Sequence, residues 1–432
     1  IKMNNKIMPR KLAGFWELEP EKEMLFEEMI DKIKSVFAKH CFMPLDTPAM
    51  ELSEILLAKS GGDVDKEVYR FTKGSTDACL RYDLTVPLAR FVAANENTLA
   101  FPFKRFQIGK VYRGERPQKG RFREFYQCDA DVIGDGELSL VNDAECIKLY
   151  KDVFDEFNLK GQVKVSNRKV LFGLAKALGL EEKFGDAAII MDKLDKIGNQ
   201  NVEEQLLELG CSKTDAAKLI ELTKISGYED AIEKASRLSN DEEFICGLNE
   251  LKSVLTYARA MGLSEDDFVL DFGIIRGHNY YTGTVFEGFI DGCTSAIGGG
   301  GRYENLAEYF TDRKLPGVGM SIGMSRLFDY LDQSGYFGDE VKSAMQVAII
   351  PLGDTLLDCL NTCAKLQANG VKAEVFAENK SFKSKMKEAN RKRASYALIM
   401  GEDEVKNGVF ALKNMSTGEQ ESLTEQQLLN KF

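Results

Sequence analysis

Two runs rich in aromatic and β-branched residues, FKRFQIGKVY and FREFYQCDADVIG, lie on either side of ERPQKG between Phe103 and Gly134. Such runs favour strands, and the Pro and Gly between them favour a turn, so the segment predicts a β-hairpin with a long loop. From Lys104 to Glu124 the cations are Lys104, Arg105, Lys110, Arg113, Arg116, Lys119, Arg121 and Arg123, against Glu115 and Glu124, although the chain's formal charge is -11. Cations concentrated against the global sign point to an anionic ligand. A planar guanidinium grips phosphate oxygens bidentately and keeps its charge when desolvated. Phe125 on the returning strand has the shape to lie against a purine, and Glu115 can accept from a base or ribose. A solvated, salt-bridged hairpin would carry the same charges, so the reading depends on other segments.

Three segments bear on it. LRYDLT, Leu80 to Thr85, sets an acidic residue among strand formers, a pattern that also suits a cap or turn. GIIRGHNYYTGTVFEGF, Gly273 to Phe289, places Arg276 and the paired Tyr280 and Tyr281 between glycine turns and a strand. Arg276 suits a charge clamp, and the tyrosines offer rings with polar tips. AIGGGGRYENL, followed by GVGMSIGMSRLFDYL, lets backbone approach a ligand closely at Gly298 to Gly301 and puts Arg326 near the start of an apolar helix. There is no Walker-type loop and no dinucleotide-binding turn, so a nucleotide's phosphates would have to be held by arginines rather than by a glycine-rich loop.

In this order the segments resemble the motifs of class II aminoacyl-tRNA synthetases of subclass IIa, and specifically the histidyl-tRNA synthetase family, over nearly the whole length. KHCFMPLDTPAME, Lys39 to Glu51, is similar to the first motif, which ends in a proline at a dimer interface, here Pro48. The hairpin resembles the second motif and GVGMSIGMSRL the third. The resemblance implies ATP binding by Arg113, Glu115, Arg121, Phe125 and Arg326. It also implies that Arg113 and Arg276 act catalytically by flanking the α-phosphate. LRYDLT, QCDAD and RGHNYYTG resemble the histidine-specific segments. They imply that Asp83, Thr85 and Gln127 bind the amino and carboxylate ends of histidine, and that Asp131 and Tyr281, with Tyr280 beside it, meet the imidazole. A carboxylate facing one ring nitrogen and a hydroxyl facing the other would read its donor and acceptor pattern. The chain departs from the family where Arg-Gly-Leu-Asp-Tyr-Tyr is usual, with His278 and Asn279 between Arg276-Gly277 and Tyr280.

The fold implied is α+β, an antiparallel sheet flanked by helices, with a helical insertion and a C-terminal α/β anticodon-binding domain. The expected boundaries are 1–168 for the first catalytic part, with motifs 1 and 2, and 169–260 for the insertion, almost continuously helical in pattern. The second catalytic part, with the histidine-specific loop and motif 3, spans 261–333, a linker 334–342, and the anticodon-binding domain 343–432. In the last, strands and helices alternate, which predicts a parallel sheet. Lys380, Lys383, Lys385, Lys387, Arg391, Lys392 and Arg393 would form a basic helix suited to phosphate contacts. The expected activity is ATP-dependent ligation of histidine to its tRNA by a homodimer. A regulatory, non-charging relative is the alternative from another class, but such relatives generally lack the C-terminal domain and lose the ATP-contact arginines.

Composition agrees. At 432 residues, 44% hydrophobic and 29% charged, the chain suits a soluble protein of two or three domains. No apolar run approaches ~20 residues, and IKMNNKIMPRKLAG lacks the apolar stretch of a secretory signal, so a cytoplasmic location without membrane contact is expected. Nine scattered cysteines, never in a Cys-x-x-Cys pair, read as reduced thiols. Cys359 and Cys363 have the i, i+4 spacing of one buried helical face. With His40 and His278 the only histidines, no structural metal is expected, and Mg²⁺ would arrive on ATP.

Overall fold

The computed structural model describes residues 7–58, 66–118, 120–275, 280–304, 306–338 and 343–432. Its contacts divide the chain into two compact units. One holds the segment up to Glu17 together with Glu28–Phe337, the other Leu18–Glu27 together with Gly338–Phe432.

The first unit contains β1 (Met43–Pro44), β2 (Met50–Leu52), β3 (Arg70–Lys73), β4 (Thr76–Leu80), β5 (Phe103–Tyr112) and β6 (Glu124–Ile133). There follow β7 (Gly161–Asn167), β8 (Ser226–Gly227), β9 (Phe268–Asp271), β10 (Thr284–Ile290), β11 (Gly298–Tyr303) and β12 (Gly317–Gly323). Nine of these form one sheet in the order β1-β5-β6-β12-β11-β10-β7-β9-β8, and β2-β4-β3 form a small one. In the large sheet β1 with β5 and β7 with β9 are parallel; the other neighbours are antiparallel, as the fold expected from sequence requires. The hairpin pairs Phe103 with Ile133 and Tyr112 with Glu124.

Alternation along β6 divides its residues between two faces. Cys128, Ala130 and Val132 are fully buried on one, while Gln127, Asp129 and Asp131 are buried on the other. Phe106 pairs with Ala130 and so shares its face; its ring meets Phe37 of the helix Pro20–Lys39 at 5.6 Å. The helix Val141–Glu156 also packs on the sheet, with Tyr150 6.2 Å from Phe286 of β10. Helices therefore cover the apolar face, and the polar one is left to build a site.

Between β7 and β9 run the helices Arg168–Ala177, Phe184–Met191, Leu194–Leu209, Lys213–Thr223, Glu229–Ser236 and Glu242–Ala260. Their starts are written locally: the Asn167, Ser212 and Asp241 side chains accept backbone N–H groups of the first turns. The sequence pattern missed β8, whose two residues pair with β9.

The second unit carries β13 (Val347–Pro351), β14 (Ala373–Val375), β15 (Tyr396–Met400), β16 (Val409–Asn414) and β17 (Gln420–Thr424), ordered β14-β13-β15-β16-β17. The first three are parallel, but β16 and β17 are antiparallel, so the sheet is mixed rather than purely parallel. A five-residue connection from β16 to β17 cannot make a crossover, which needs a dozen or more; the polar QESLT of β17 gave no apolar alternation to read. β13 is buried on both faces. Val347 and Ile349 join a core with Cys359, Cys363 and Leu366, whereas Ala348 and Ile350 join one with Phe376 and Ala389. Cys359 and Cys363 thus sit on one buried helical face, as their spacing suggests. The basic helix is less free than its sequence implied: Lys385 is buried, Lys380 pairs with Glu388, and Lys392 pairs with Glu374.

Candidate active site

A cavity of about 400 Å³ opens on the polar face of the large sheet. Arg113, Glu115, Arg121, Phe125 and Arg326 line it, together with Asp83, Thr85, Gln127, Tyr280 and Tyr281. Ten residues singled out from separate stretches of sequence therefore share one wall.

The arginines come from the hairpin loop and from the helix Met324–Gln333. Arg113 donates from Nε to the Tyr82 carbonyl at 3.2 Å, and its guanidinium lies 4.5 Å from the Tyr82 ring centre and 5.1 Å from that of Phe125. Phe125 therefore backs an arginine as well as facing the cavity. Arg121 and Glu115 form an ion pair of 3.0 Å. Arg326 donates to the Gly120 carbonyl at 3.1 Å and the Ala296 carbonyl at 2.7 Å, tying the loop to the segment that leads into β11. Burial, with Arg121 and Arg113 nearby, holds its guanidinium below the usual pKa. Three arginines beside one carboxylate leave a positive excess that a polyphosphate would relieve.

The rest of the cluster read from sequence is dispersed. Lys104 pairs with Glu145, Lys110 with Glu124, and Arg123 donates to the Glu115 carbonyl at 3.0 Å. Arg105 is wholly buried inside the sheet. A linear charge count mixes residues on opposite strand faces with those of the loop, and among the described cations of this run Arg113 and Arg121 alone line the cavity.

Farther along β6 the wall turns acidic. Asp83 Oδ1 accepts the backbone N–H groups of Thr85 and Val86 at 3.1 and 3.0 Å, so it caps the helix Thr85–Asn95 while lining the cavity. Gln127 donates to the Ser321 hydroxyl at 2.8 Å. Asp131 sits deeper, in a small pocket shared with Thr85, Asp129, Tyr281 and Tyr303. It accepts from the Tyr303 hydroxyl at 2.9 Å and pairs with Arg105 at 2.8 Å. Burial raises the Asp131 pKa, opposed chiefly by Arg105. Burial likewise pushes the Tyr281 hydroxyl up, with Asp131 next in effect.

Gly319 makes room for that carboxylate: a Cβ there would lie 2.0 Å from Asp131 Oδ1. Gly319→Ala is therefore expected to displace Asp131 and destabilise the unit by about 1–3 kcal/mol. Urea unfolding would check it; an unaltered midpoint would refute the packing argument.

Arg276, and with it the His278-Asn279 departure, lies outside the described residues. Sequence reading missed Asp129, Arg105, Tyr303 and Ser321. The alternation in QCDAD held the signal for Asp129, and Arg105 lay in view as a cation within a strand. Tyr303 and Ser321 depend on β11 and β12 pairing next to β6, which no local pattern reveals. Among the described residues, no group of three or more His, Cys, Asp or Glu is arranged to hold a metal ion.

A family model described as histidyl-tRNA synthetase matches residues 14–327. The chain belongs to the histidyl-tRNA synthetase family. A second model, described as anticodon binding domain, matches residues 346–432. The chain is 42% identical over 425 residues to a histidine–tRNA ligase of Clostridium tetani, covering 97% of this chain and 96% of that one. It resembles a solved histidyl-tRNA synthetase from Nostoc sp. PCC 7120 with a TM-score of 0.87 and 32% identity, over 99% of both chains. A structure from Bacillus halodurans, titled an ATP phosphoribosyltransferase regulatory subunit/histidyl-tRNA synthetase, matches with a TM-score of 0.78 but 21% identity, covering 92% of this chain and 99% of that one. That likeness concerns the fold alone.

Proposed function

We propose that the chain is an ATP-dependent histidine–tRNA ligase, and that the arginine-to-carboxylate gradient along one cavity is its working site. The supporting observation is that gradient: Arg113, Arg121 and Arg326 share the cavity with Asp83, Thr85, Gln127 and Tyr281. An amino acid with its ammonium near Asp83 would turn its carboxylate toward the arginines, where a triphosphate is best held.

In the first step a histidine carboxylate oxygen attacks the α-phosphorus of ATP, and the bond to pyrophosphate breaks. No protein base is needed, since the carboxylate is already ionised. Positioning and charge stabilisation supply the catalysis. Arg113 and Arg276 flank the α-phosphate, Arg121 and Arg326 hold the outer phosphates, and Phe125 and Glu115 receive the adenosine. ATP enters with Mg²⁺. In the second step a hydroxyl of the terminal adenosine of tRNA attacks the carbonyl of histidyl-adenylate, and AMP leaves. Asp131 and the Tyr281 hydroxyl, with Tyr280 packed against Tyr281 at 4.9 Å, read the ring. Analogues lacking its nitrogens would leave these buried groups unpaired.

The same reading assigns residues 169–260 to the tRNA acceptor arm as an insertion in a catalytic domain of 1–168 and 261–333. After a linker at 334–342, residues 343–432 read the anticodon. It also makes the enzyme a cytoplasmic homodimer. Exposed Met43, Met50 and Leu52 near Pro48 suit such an interface; among the described residues, no helix is long and apolar enough to cross a membrane.

The test is ATP–pyrophosphate exchange by purified protein with Mg²⁺ and a panel of amino acids, without tRNA. Exchange with histidine alone is expected. Histidine binding without exchange would move the chain to the non-charging relatives.

A further inference from the structure

The polar face of β6 holds Gln127, Asp129 and Asp131 in succession, about 7 Å apart at ordinary strand rise. The two aspartates differ in what they already bind. Asp131 accepts from the Tyr303 hydroxyl through Oδ1, and its Oδ2, though without a hydrogen bond among the described residues, lies 2.8 Å from the Arg105 guanidinium as an ion pair. Asp129 is 3% exposed, and its Oδ1 has no hydrogen-bond partner among the described residues. It lines both the main cavity and the inner pocket, so it stands at the threshold between them. A buried carboxylate oxygen without a donor is costly unless a ligand completes it.

A carboxylate only accepts, so the missing partner is a donor. Histidine offers its ammonium and its ring N–H. By the proposed reading, on which this inference rests, the ammonium lies toward Asp83 and the ring toward Asp131. The level of Asp129 between them falls beside the ring nitrogen nearer the histidine backbone. We propose that Asp129 is a specificity-determining residue that accepts this ring N–H of bound histidine, with Asp131 and Tyr281 enclosing the rest of the ring.

The surrounding charges suit this role. Burial pushes the Asp129 pKa up to about 7 against the opposing pull of Arg105, with Asp131 raising it, Ser321 hydrogen-bonding to it, and Asp83 raising it further. Tyr281, Tyr150 and Cys128 are also raised by it. That places the carboxyl close to the ordinary imidazole value near 6.5, so the pair can share one proton.

The experiment uses the full chain. Asp129→Asn keeps shape and removes the anionic acceptor. It is expected to raise the histidine KM in ATP–pyrophosphate exchange about 10- to 100-fold, leaving kcat within a few-fold. It should also flatten the dependence of histidine affinity on pH between 6 and 8. Should the variant fail to fold, ¹⁵N-labelled histidine bound to the unaltered protein gives the same answer: its ring shifts should report a nitrogen held protonated above the free-solution pKa. Wild-type exchange with an unchanged Asp129→Asn KM and pH profile would overturn the Asp129 assignment alone. Unperturbed ring shifts in bound histidine would do so too. Absence of histidine-dependent exchange in the wild type would instead overturn the ligase reading itself.

Discussion

Arg113→Ala is expected to lower the maximal rate of histidine-dependent ATP–pyrophosphate exchange by about 10²- to 10³-fold, the usual cost of losing one preorganised donor to developing charge. Its guanidinium is fixed between the Tyr82 and Phe125 rings and tied to the Tyr82 carbonyl, so it reaches the cavity already oriented. Histidine affinity should change little, because Asp83, Gln127 and the ring-binding groups are untouched. Arg113→Lys keeps the charge but loses the planar fork and the ring stacking, and an intermediate rate is expected. Exchange kinetics beside calorimetric histidine titration separate the two effects. A normal exchange rate in Arg113→Ala would remove this arginine from the phosphate site, whereas equal loss of histidine affinity would point to a collapsed loop.

How much of this was legible in the sequence differs by element. The β5–β6 hairpin was plain, because its strands are long and the Pro and Gly between them are turn residues. The helices after β7 were plain for the same reason of periodicity. β17 was not, since an edge strand of polar residues takes its conformation from pairing with β16 rather than from its own pattern. The site shows the same division. Arg113 and Arg121 stand in a loop, where local charge is visible. Arg105, counted with them, spends its charge inside the sheet, because the register sets it opposite Asp131. Registry across strands is a property of pairing, and a single strand does not announce it.

Arg105 is where that hidden registry should matter most. It is 0% exposed, pairs with Asp131 at 2.8 Å and donates to the Leu84 carbonyl at 3.0 Å. Arg105→Leu fills part of the space but leaves Asp131, with Asp129 beside it, buried without a counter-charge. Breaking such a pair from one side costs about 3–5 kcal/mol. The loss should depend on pH with a definite sign. Asp129 already has a folded pKa of about 7, above its ordinary 3.8. A raised carboxyl binds more protons folded than unfolded, so its contribution to stability is present below about pH 4 and is lost as pH rises through the folded value. Arg105 opposes the rise at both aspartates, so without it both pKa values climb and the penalty extends to higher pH. Arg105→Leu should therefore lie closest to wild type near pH 5 and farthest from it near pH 8, in urea unfolding at both values. Adding Asp131→Asn removes the nearer of the two uncompensated carboxyls while keeping the side-chain shape. The double variant is expected to be more stable than Arg105→Leu alone at pH 8, and little different from it at pH 5. Strictly additive losses at both pH values would mean that the two side chains are not an electrostatic pair, and that Arg105 serves by its volume and its bond to Leu84.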